Sequence, residues 1–580
     1  MSLLRSHKAF ALWLAATVAL GCGHNSEPTT TTEPAAKKTV TLTVLGTNDV
    51  HGHLEMLPYL AGYVDVVREA RKADGGGVVL LDGGDMFQGT LASNLTEGAS
   101  MVAIFEAMHY TAVAIGNHEF DFGPSGEAAT PTAPGDDPQG ALKARAASAD
   151  YPFLAANLLT ETTGSPASWK NVKPHTLIEV AGQKVGIIGL TTTSTPRTTI
   201  AANFVGLEVA PLAEAITREA AGLRKAGAKI ILVTAHAGSK CRDFSNPDDV
   251  SSCVSDGEIF KVARKLAAGT VDVIVAGHTH AGVAHRVNGI AIIEAYSNGS
   301  AFGRVDLEIS ASTGEVEKAK IYPPHDVCEN RRDAAANPAS CKLSVYEGQQ
   351  VVPDPAVKKL ADSALAAAGK VREQLLGVTL EGKVRRSYRA ESALGNLFTD
   401  LMLAATPQAD IAITNGGGLR ADLPAGKLTY GALYKAMPFD NRFAMVEVTG
   451  AELAAIFADN LHADSGIFSL SGGRIEATCK DGKLAVAAYR IDKHNKARPI
   501  AATDKVMIVT SDFLATGGDG AFGRIEAATG RVHVMDGPTI RDAMADVLRK
   551  RGGTIDKKSL YDRAHPRLSF PGKRPVKCAH

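Results

Sequence analysis

The sequence predicts an α/β protein of two domains. Strand-like apolar runs alternate with helical stretches through the first half of the chain. Several of those runs stop at a glycine or at a polar side chain able to bind metal. At 580 residues the chain also exceeds what one hydrophobic core supports. The clearest run is Thr111 to Ile115, which ends in Gly116 and is followed at once by Asn117, His118, Glu119 and Asp121. A buried strand that presents such groups at its carboxyl end is how open α/β sheets build active sites.

Composition narrows the function classes. Lys+Arg and Asp+Glu stand at 62 each, so no basic face for a nucleic-acid polymer is implied. Arg5, His7 and Lys8 precede an uncharged run from Ala9 to Leu20, too short to span a bilayer comfortably and typical of a signal peptide. It ends in Ala19-Leu20-Gly21-Cys22, which resembles a bacterial lipobox, with Cys22 as the lipid-anchored residue. The Thr-, Glu- and Pro-rich stretch from Asn25 to Lys38 then reads as a tether that cannot form a core. Export, to the periplasm or the cell surface and with an outer-membrane anchor, makes the other six cysteines readable as disulfides. Their placement suggests Cys241 with Cys253, Cys328 with Cys341, and Cys479 with Cys578.

The first strand, Val40 to Gly46, leads into Asp49-Val50-His51. Two residues apart, Asp49 and His51 would share a side of an extended chain. A carboxylate and an imidazole there suit Zn²⁺ or Mn²⁺. Helix Leu60 to Ala73 precedes strand Gly77 to Leu81, which ends in Asp82-Gly-Gly-Asp85. Helix Ser100 to His109 leads to the Gly116 stretch. Short strands follow around Phe153 to Ala156 and Lys184 to Leu190. Helix Ala210 to Ala226 precedes a strand ending at His236. Helix Glu258 to Ala268 precedes one ending in Gly277-His278-Thr279-His280, where again two histidines are spaced to share a face.

Five runs therefore end in metal-binding side chains: Asp49 and His51; Asp85; Asn117 and His118; His236; His278 and His280. Asp-x-His, Gly-Gly-Asp, Gly-Asn-His-Glu-Phe-Asp and Gly-His-Thr-His, in this order, resemble the calcineurin-like dinuclear metallophosphoesterases, and in particular the 5′-nucleotidase branch. The resemblance implies a four-layer α/β/β/α sandwich followed by a smaller α/β substrate-binding domain. It implies two divalent metal ions, Zn²⁺, Mn²⁺ or similar. Asp49, His51, Asp85 and His280 would hold the first; Asp85, Asn117, His236 and His278 the second, with Asp85 bridging. Some relatives carry Gln or Asn where this chain has His280. His118 is then placed to stabilise the phosphoryl or leaving-group oxygen, with Asp121 orienting it. Glu119 is left as a solvated or structural carboxylate.

In the second half, a periodic Ala-rich helix from Asp354 to Leu376 reads as a span between domains. Three segments beyond it resemble the 5′-nucleotidase C-terminal domain: Arg389 to Leu397, Asn415-Gly-Gly-Gly-Leu-Arg420, and Ser511 to Gly520. The resemblance implies that Asn415 and Arg420 belong to the substrate site, that Phe439 and Phe513 sandwich a base, and that Asp519 binds ribose. The family's phosphate-binding arginine does not align, because Tyr388 falls at that place; Arg389, beside it, is the candidate. The expected organisation is a signal peptide over residues 1–22, a tether over 23–39, a metallophosphoesterase domain over 40–325, a connector and helix over 326–376, and a substrate-binding domain over 377–575.

The expected function is hydrolysis of extracytoplasmic 5′-nucleotides to nucleoside and phosphate. Nucleotide-sugar pyrophosphatase and 2′,3′-cyclic phosphodiesterase activities would suit the same scaffold. A thiosulfohydrolase would not need Phe439 and Phe513, and a non-catalytic nucleotide-binding lipoprotein would not need His118 with Asp121.

Overall fold

Strands that are apolar along their whole length bury both faces, which is how parallel strands between two layers read. Strand Thr39–Thr47 pairs in parallel with Gly77–Asp82, which pairs in parallel with Ala112–Ala114. The antiparallel strands Ala301–Ser310 and Val316–Asp326 complete one side of a seven-stranded sheet. A six-stranded sheet has Gln183–Thr191, Ile230–His236, Val273–Ala276 and Ile290–Ala295 as its parallel centre. The computed structural model describes residues 39–578 apart from 127, 132, 332, 334–336, 493–495, 524, 526–529 and 536. The signal peptide, the tether up to residue 38 and the Cys22 anchor lie outside the described residues.

The two sheets pack face to face over Leu42, Val44, Val79, Leu81, Ile187, Leu232, Val275 and Leu307. On its outer face the first sheet carries helices Leu57–Asp74 and Ala99–Ala107, which supply Leu60, Val64, Val67, Ile104 and Phe105. The second carries Leu212–Lys225 and Glu258–Lys265, which supply Ile216, Leu223, Ile259 and Phe260. This is the expected four-layer α/β/β/α sandwich. Past Ser310 the chain turns at Gly314 and returns as Val316–Asp326, so Asp326, the first residue expected in the connector, belongs to the sheet. That strand's outer residues are polar and exposed, and they hid its pairing.

Helix Pro355–Arg372 starts from Asp354, whose side chain accepts from Val357 N, and packs on helices Leu57–Asp74, Ala99–Ala107 and Tyr430–Ala436. It thus touches both domains. The second domain is built on a five-stranded sheet in which Ile411–Asn415 and Lys505–Ser511 are parallel neighbours. The carboxyl ends of those two strands carry the Gly-rich turns. All three expected disulfides are formed: Cys241–Cys253, Cys328–Cys341 and Cys479–Cys578. Among the described residues no helix is long and apolar enough to cross a membrane.

Candidate active site

The candidate metal-binding side chains all leave from the carboxyl ends of the central parallel strands, where the two sheets face each other. Asp49 and His51 do not share a face of an extended chain as the spacing suggested. The strand stops at Thr47, and both residues take left-handed backbone angles, φ 51° and 50°. Their amides donate to Gly84 O and Asp85 O, each at 2.9 Å, so two strand-end loops close on one another. The same correction applies to His278 and His280, with φ 77° and 51°. Outside a strand the period of two no longer governs direction. His280 joins Asp49 and His51, and His278 joins Asp85 and His236.

Two glycines make the approach possible. A Cβ on Gly116 would lie 2.2 Å from Asp85 Oδ1, and one on Gly84 (φ 90°) would lie 2.9 Å from His236 Nδ1. No other residue fits at either place without moving a ligand.

The donor set suits cations. His51 Nδ1 contacts the Gln88 carbonyl at 2.8 Å and His236 Nδ1 the Gly83 carbonyl at 2.9 Å, so each ring keeps its proton there and turns the Nε2 lone pair inward. His51 Nε2 lies 3.0 Å from His280 Nε2, and His280 Nε2 lies 3.2 Å from Asp49 Oδ1. His236 Nε2 lies 3.0 Å from Asn117 Oδ1, 3.1 Å from Asp85 Oδ2 and 3.2 Å from His278 Nδ1. Asp85 Oδ2 is also 3.9 Å from His51 Nε2, so this carboxylate faces both clusters. Burial alone would lower the His236 pKa, yet the carboxylates of Asp85, Asp49 and Glu119 together push it up to about 10. The pocket thus favours positive charge at this Nε2, a proton that a bound cation would displace.

His118 stands at the rim. Its Nδ1 lies 2.6 Å from Asp121 Oδ2, and its own amide donates to Asp85 Oδ1 at 2.8 Å. Asp121 Oδ1 in turn accepts from Thr199 Oγ1 at 3.0 Å. Burial lowers the His118 pKa, but the carboxylates of Asp121 and Asp85 together raise it above the usual range. Glu119 is not solvated. It is fully buried, and its two oxygens accept from the amides of Asp85, Met86, Phe87 and Gly116 at 2.9, 2.8, 3.3 and 2.7 Å. Burial pushes its pKa up to about 7.

The second domain reaches this pocket at two points. Arg420 Nη2 lies 3.5 Å from His51 Nε2, and the Phe439 ring lies 5.5 Å from the His118 ring, with the Arg420 guanidinium 5.6 Å from Phe439. Asn415 Nδ2 donates to Asp519 Oδ2 at 2.5 Å, and Asp519 is held at φ 53° in the Gly-rich turn. The Phe513 ring lies on Gly518 at the edge of the second domain's core. Arg389 turns away to an exposed ion pair with Asp464 at 2.6 Å. Arg386, on the same segment, donates to the Leu419 carbonyl beside Arg420 at 2.8 Å.

Sequence reasoning missed the residues that hold the ligands. Asn48 donates to Asp49 Oδ2 at 2.6 Å and accepts from Ala295 N at 2.8 Å. Glu294, fully buried, accepts from Thr279 Oγ1 at 2.6 Å and Ser239 N at 3.1 Å, tying down the turn between His278 and His280. Only its polarity within an apolar strand, Ile290–Ala295, could have marked it.

A sandwich of this kind, with two clusters of nitrogen and oxygen donors sharing one carboxylate, defines a metallophosphoesterase. Residues 42–282 match the calcineurin-like phosphoesterase family, and residues 365–525 match the 5′-nucleotidase C-terminal domain. Protein UshA of Escherichia coli K12 is 28% identical over 532 residues, covering 86% of this chain and 89% of its own length. Snake venom 5′-nucleotidase of Naja atra is 25% identical over 538 residues, covering 83% and 91%. The crystal structure of a 5′-nucleotidase precursor from Thermus thermophilus superposes with a TM-score of 0.67 at 24% identity, covering 88% of this chain and 97% of that one. The chain belongs to the 5′-nucleotidase family, with a calcineurin-like phosphoesterase domain followed by a 5′-nucleotidase C-terminal domain. It is a metal-dependent phosphoric ester hydrolase, and its family uses a dinuclear metal centre.

Proposed function

We propose that the protein hydrolyses nucleoside 5′-monophosphates to nucleoside and phosphate. The observation that carries this reading is the meeting of Arg420 and Phe439 with His51 and His118 at one place. An aromatic ring and a guanidinium beside a metal pocket suit a ligand with a base at one end and a phosphate at the other.

Asp49, His51 and His280 would hold one divalent cation and Asn117, His236 and His278 the other, with Asp85 shared; Zn²⁺ and Mn²⁺ both suit these donors. When bound, such a pair supplies Lewis-acid polarisation of the phosphoryl group and a nucleophile at neutral pH. The chain's own groups do the rest. Asp121 fixes the His118 Nδ1 proton and leaves Nε2 to donate to the leaving-group oxygen as charge develops there. Arg420 faces the pocket and neutralises phosphate charge, a role that the outward turn of Arg389 leaves to it. Phe439 and Phe513 flank the base, and Asn415 with Asp519 takes the ribose hydroxyls. Export with a lipid anchor at Cys22 completes the reading, and three disulfides suit an oxidising compartment.

The test is phosphate release from AMP, UDP-glucose, 2′,3′-cyclic AMP and glycerol phosphate, with Mn²⁺, Zn²⁺ or chelator. AMP with metal is expected to be fastest. Equal rates on all four would refute base recognition, and activity that survives the chelator would refute the metal assignment.

A further inference from the structure

Phe439 sits in the turn Met437–Asp440, which joins helix Tyr430–Ala436 to strand Phe443–Thr449. Three successive carbonyls of this turn are taken alternately by opposite domains. Arg541, on helix Ile540–Arg551, donates through Nη1 to Met437 O at 3.3 Å and to Phe439 O at 3.0 Å. Between them, Pro438 O accepts from Gln88 Nε2 at 2.9 Å and Asn94 Nδ2 at 3.3 Å, both from the metal-bearing domain. Arg541 also donates through Nη2 to the Asp440 carboxylate and through Nε to Tyr430 Oη at 3.1 Å, and its guanidinium lies 4.0 Å over the Tyr434 ring.

Burying an arginine to 4% exposure costs desolvation that well-packed apolar side chains would avoid. What its planar fork of donors provides is geometry. Three of the four groups it bonds lie in one turn of four residues. Gln88 then links that turn to the metal pocket, because its main-chain carbonyl holds His51 Nδ1 while its side chain holds Pro438. We propose that Arg541 from behind, and Gln88 with Asn94 from across the domain junction, form a clasp on Met437–Asp440 that sets the Phe439 ring against His118. Arg541 is therefore a positioning residue for nucleotide selectivity. The inference rests on the nucleotide reading above for its kinetic consequence, not for its structural one.

The experiment uses the full, metal-loaded chain and compares kcat/KM for AMP with kcat/KM for glycerol phosphate, which has no base to stack. Arg541→Lys is expected to lower the AMP to glycerol phosphate ratio about tenfold, mainly through the KM for AMP, as partial loss of one base stack would. Gln88→Met is expected to move the ratio the same way. On a Phe439→Ala background neither substitution should lower it more than about twofold further, since coupled residues are not additive. Equal losses on both esters, or full additivity with Phe439→Ala, would overturn the clasp. If Arg541→Lys does not fold, Gln88→Met and Asn94→Leu carry the same test from the other domain. A substrate-free readout separates the two readings: 4-fluorophenylalanine in place of Phe439 should shift its fluorine resonance in Arg541→Lys and in Gln88→Met. A wild type without AMP preference would sink the nucleotide reading alone. An unmoved resonance would sink the clasp whatever the substrate.

Discussion

Asp49, His51 and Asp85 are 0%, 3% and 1% exposed, whereas Arg420 and Phe439, which reach the same pocket from the second domain, are only half-buried. At the metal end Asp49, His51, Asp85, His278 and His280 stand in left-handed backbone and His236 ends a strand, and further hydrogen bonds hold several of them: His51 to Gln88 O, His236 to Gly83 O, Asp49 to Asn48. At the substrate end the groups stand on turns and are held by a few bonds between distant segments, such as Asn415 with Asp519 and Arg541 with the Phe439 turn. A metal tolerates displacements of only a few tenths of an ångström, so its ligands are rigidly supported. A substrate must enter and leave, so its contacts stay open to solvent and lie on the lower-stability parts of the fold.

That difference can be tested from its strongest point. His118→Ala removes the donor at the rim without touching a ligand. It is expected to lower kcat by about 10³-fold with bound metal content unchanged, in the range for loss of one transition-state donor. Metal analysis alongside steady-state kinetics checks this. If metal content falls with kcat, His118 belongs to the ligand set instead. Next is Glu119→Gln. Both carboxylate oxygens accept from main-chain N–H groups, so the amide nitrogen of Gln must face Asp85 N or one of the other amides, donor against donor. Metal affinity, by titration calorimetry, is expected to fall by about 10²-fold, the upper end for a residue behind the ligands. Unchanged affinity would mean that the loop of Asp85 is held by other contacts.

At the substrate end the effects should be smaller and selective. Phe439→Ala is expected to lower kcat/KM for AMP about thirtyfold, from a stacking loss of roughly 2 kcal/mol. Glycerol phosphate turnover should change far less. A matching loss on glycerol phosphate would show that Phe439 supports His118 rather than a base.

The same contrast explains what the sequence disclosed. Candidate metal ligands at strand ends announce themselves, because an apolar run that stops at Gly116 or Gly277 leaves few explanations for the polar groups beyond it. The α/β class followed from the alternation of those runs with helices such as Leu212–Lys225, and the four-layer sandwich from the family resemblance. Direction was not legible: the spacing of Asp49 with His51, or His278 with His280, predicts a shared face only while the chain stays extended, and both pairs lie past the last strand residue. Long-range supports were invisible for a different reason. Nothing local to Arg541 or Gln88 distinguishes it from an ordinary polar residue, since each acts on a segment far away in the chain, and Glu294 is marked only by the apolar strand around it. Arg389 shows the limit from the other side. Its position beside Tyr388 suggested a phosphate ligand, while the fold gives its guanidinium Asp464 as a nearer partner.

The smallest expected effect probes how far rigid support extends behind the metal end. Ser194 Oγ lies 3.2 Å from His278 Nε2 and 3.0 Å from Thr192 Oγ1, and Thr192 donates to Glu258 Oε2 at 2.6 Å. Burial, with His236 nearby, lowers the His278 pKa to about 3, so the ring is neutral and carries one proton. A proton on Nε2, shared with Ser194, leaves the Nδ1 lone pair aimed into the second cluster. Ser194→Ala removes that choice of tautomer without altering a ligand. Affinity at the Asp85–His236–His278 cluster should fall about tenfold, while the Asp49–His51–His280 cluster should keep its own. Two-site calorimetry with Mn²⁺ distinguishes them, and Ser194→Thr should restore the lost affinity. Equal weakening of both clusters would place Ser194 in the general packing of the loop, and the tautomer would then be set by the metal alone.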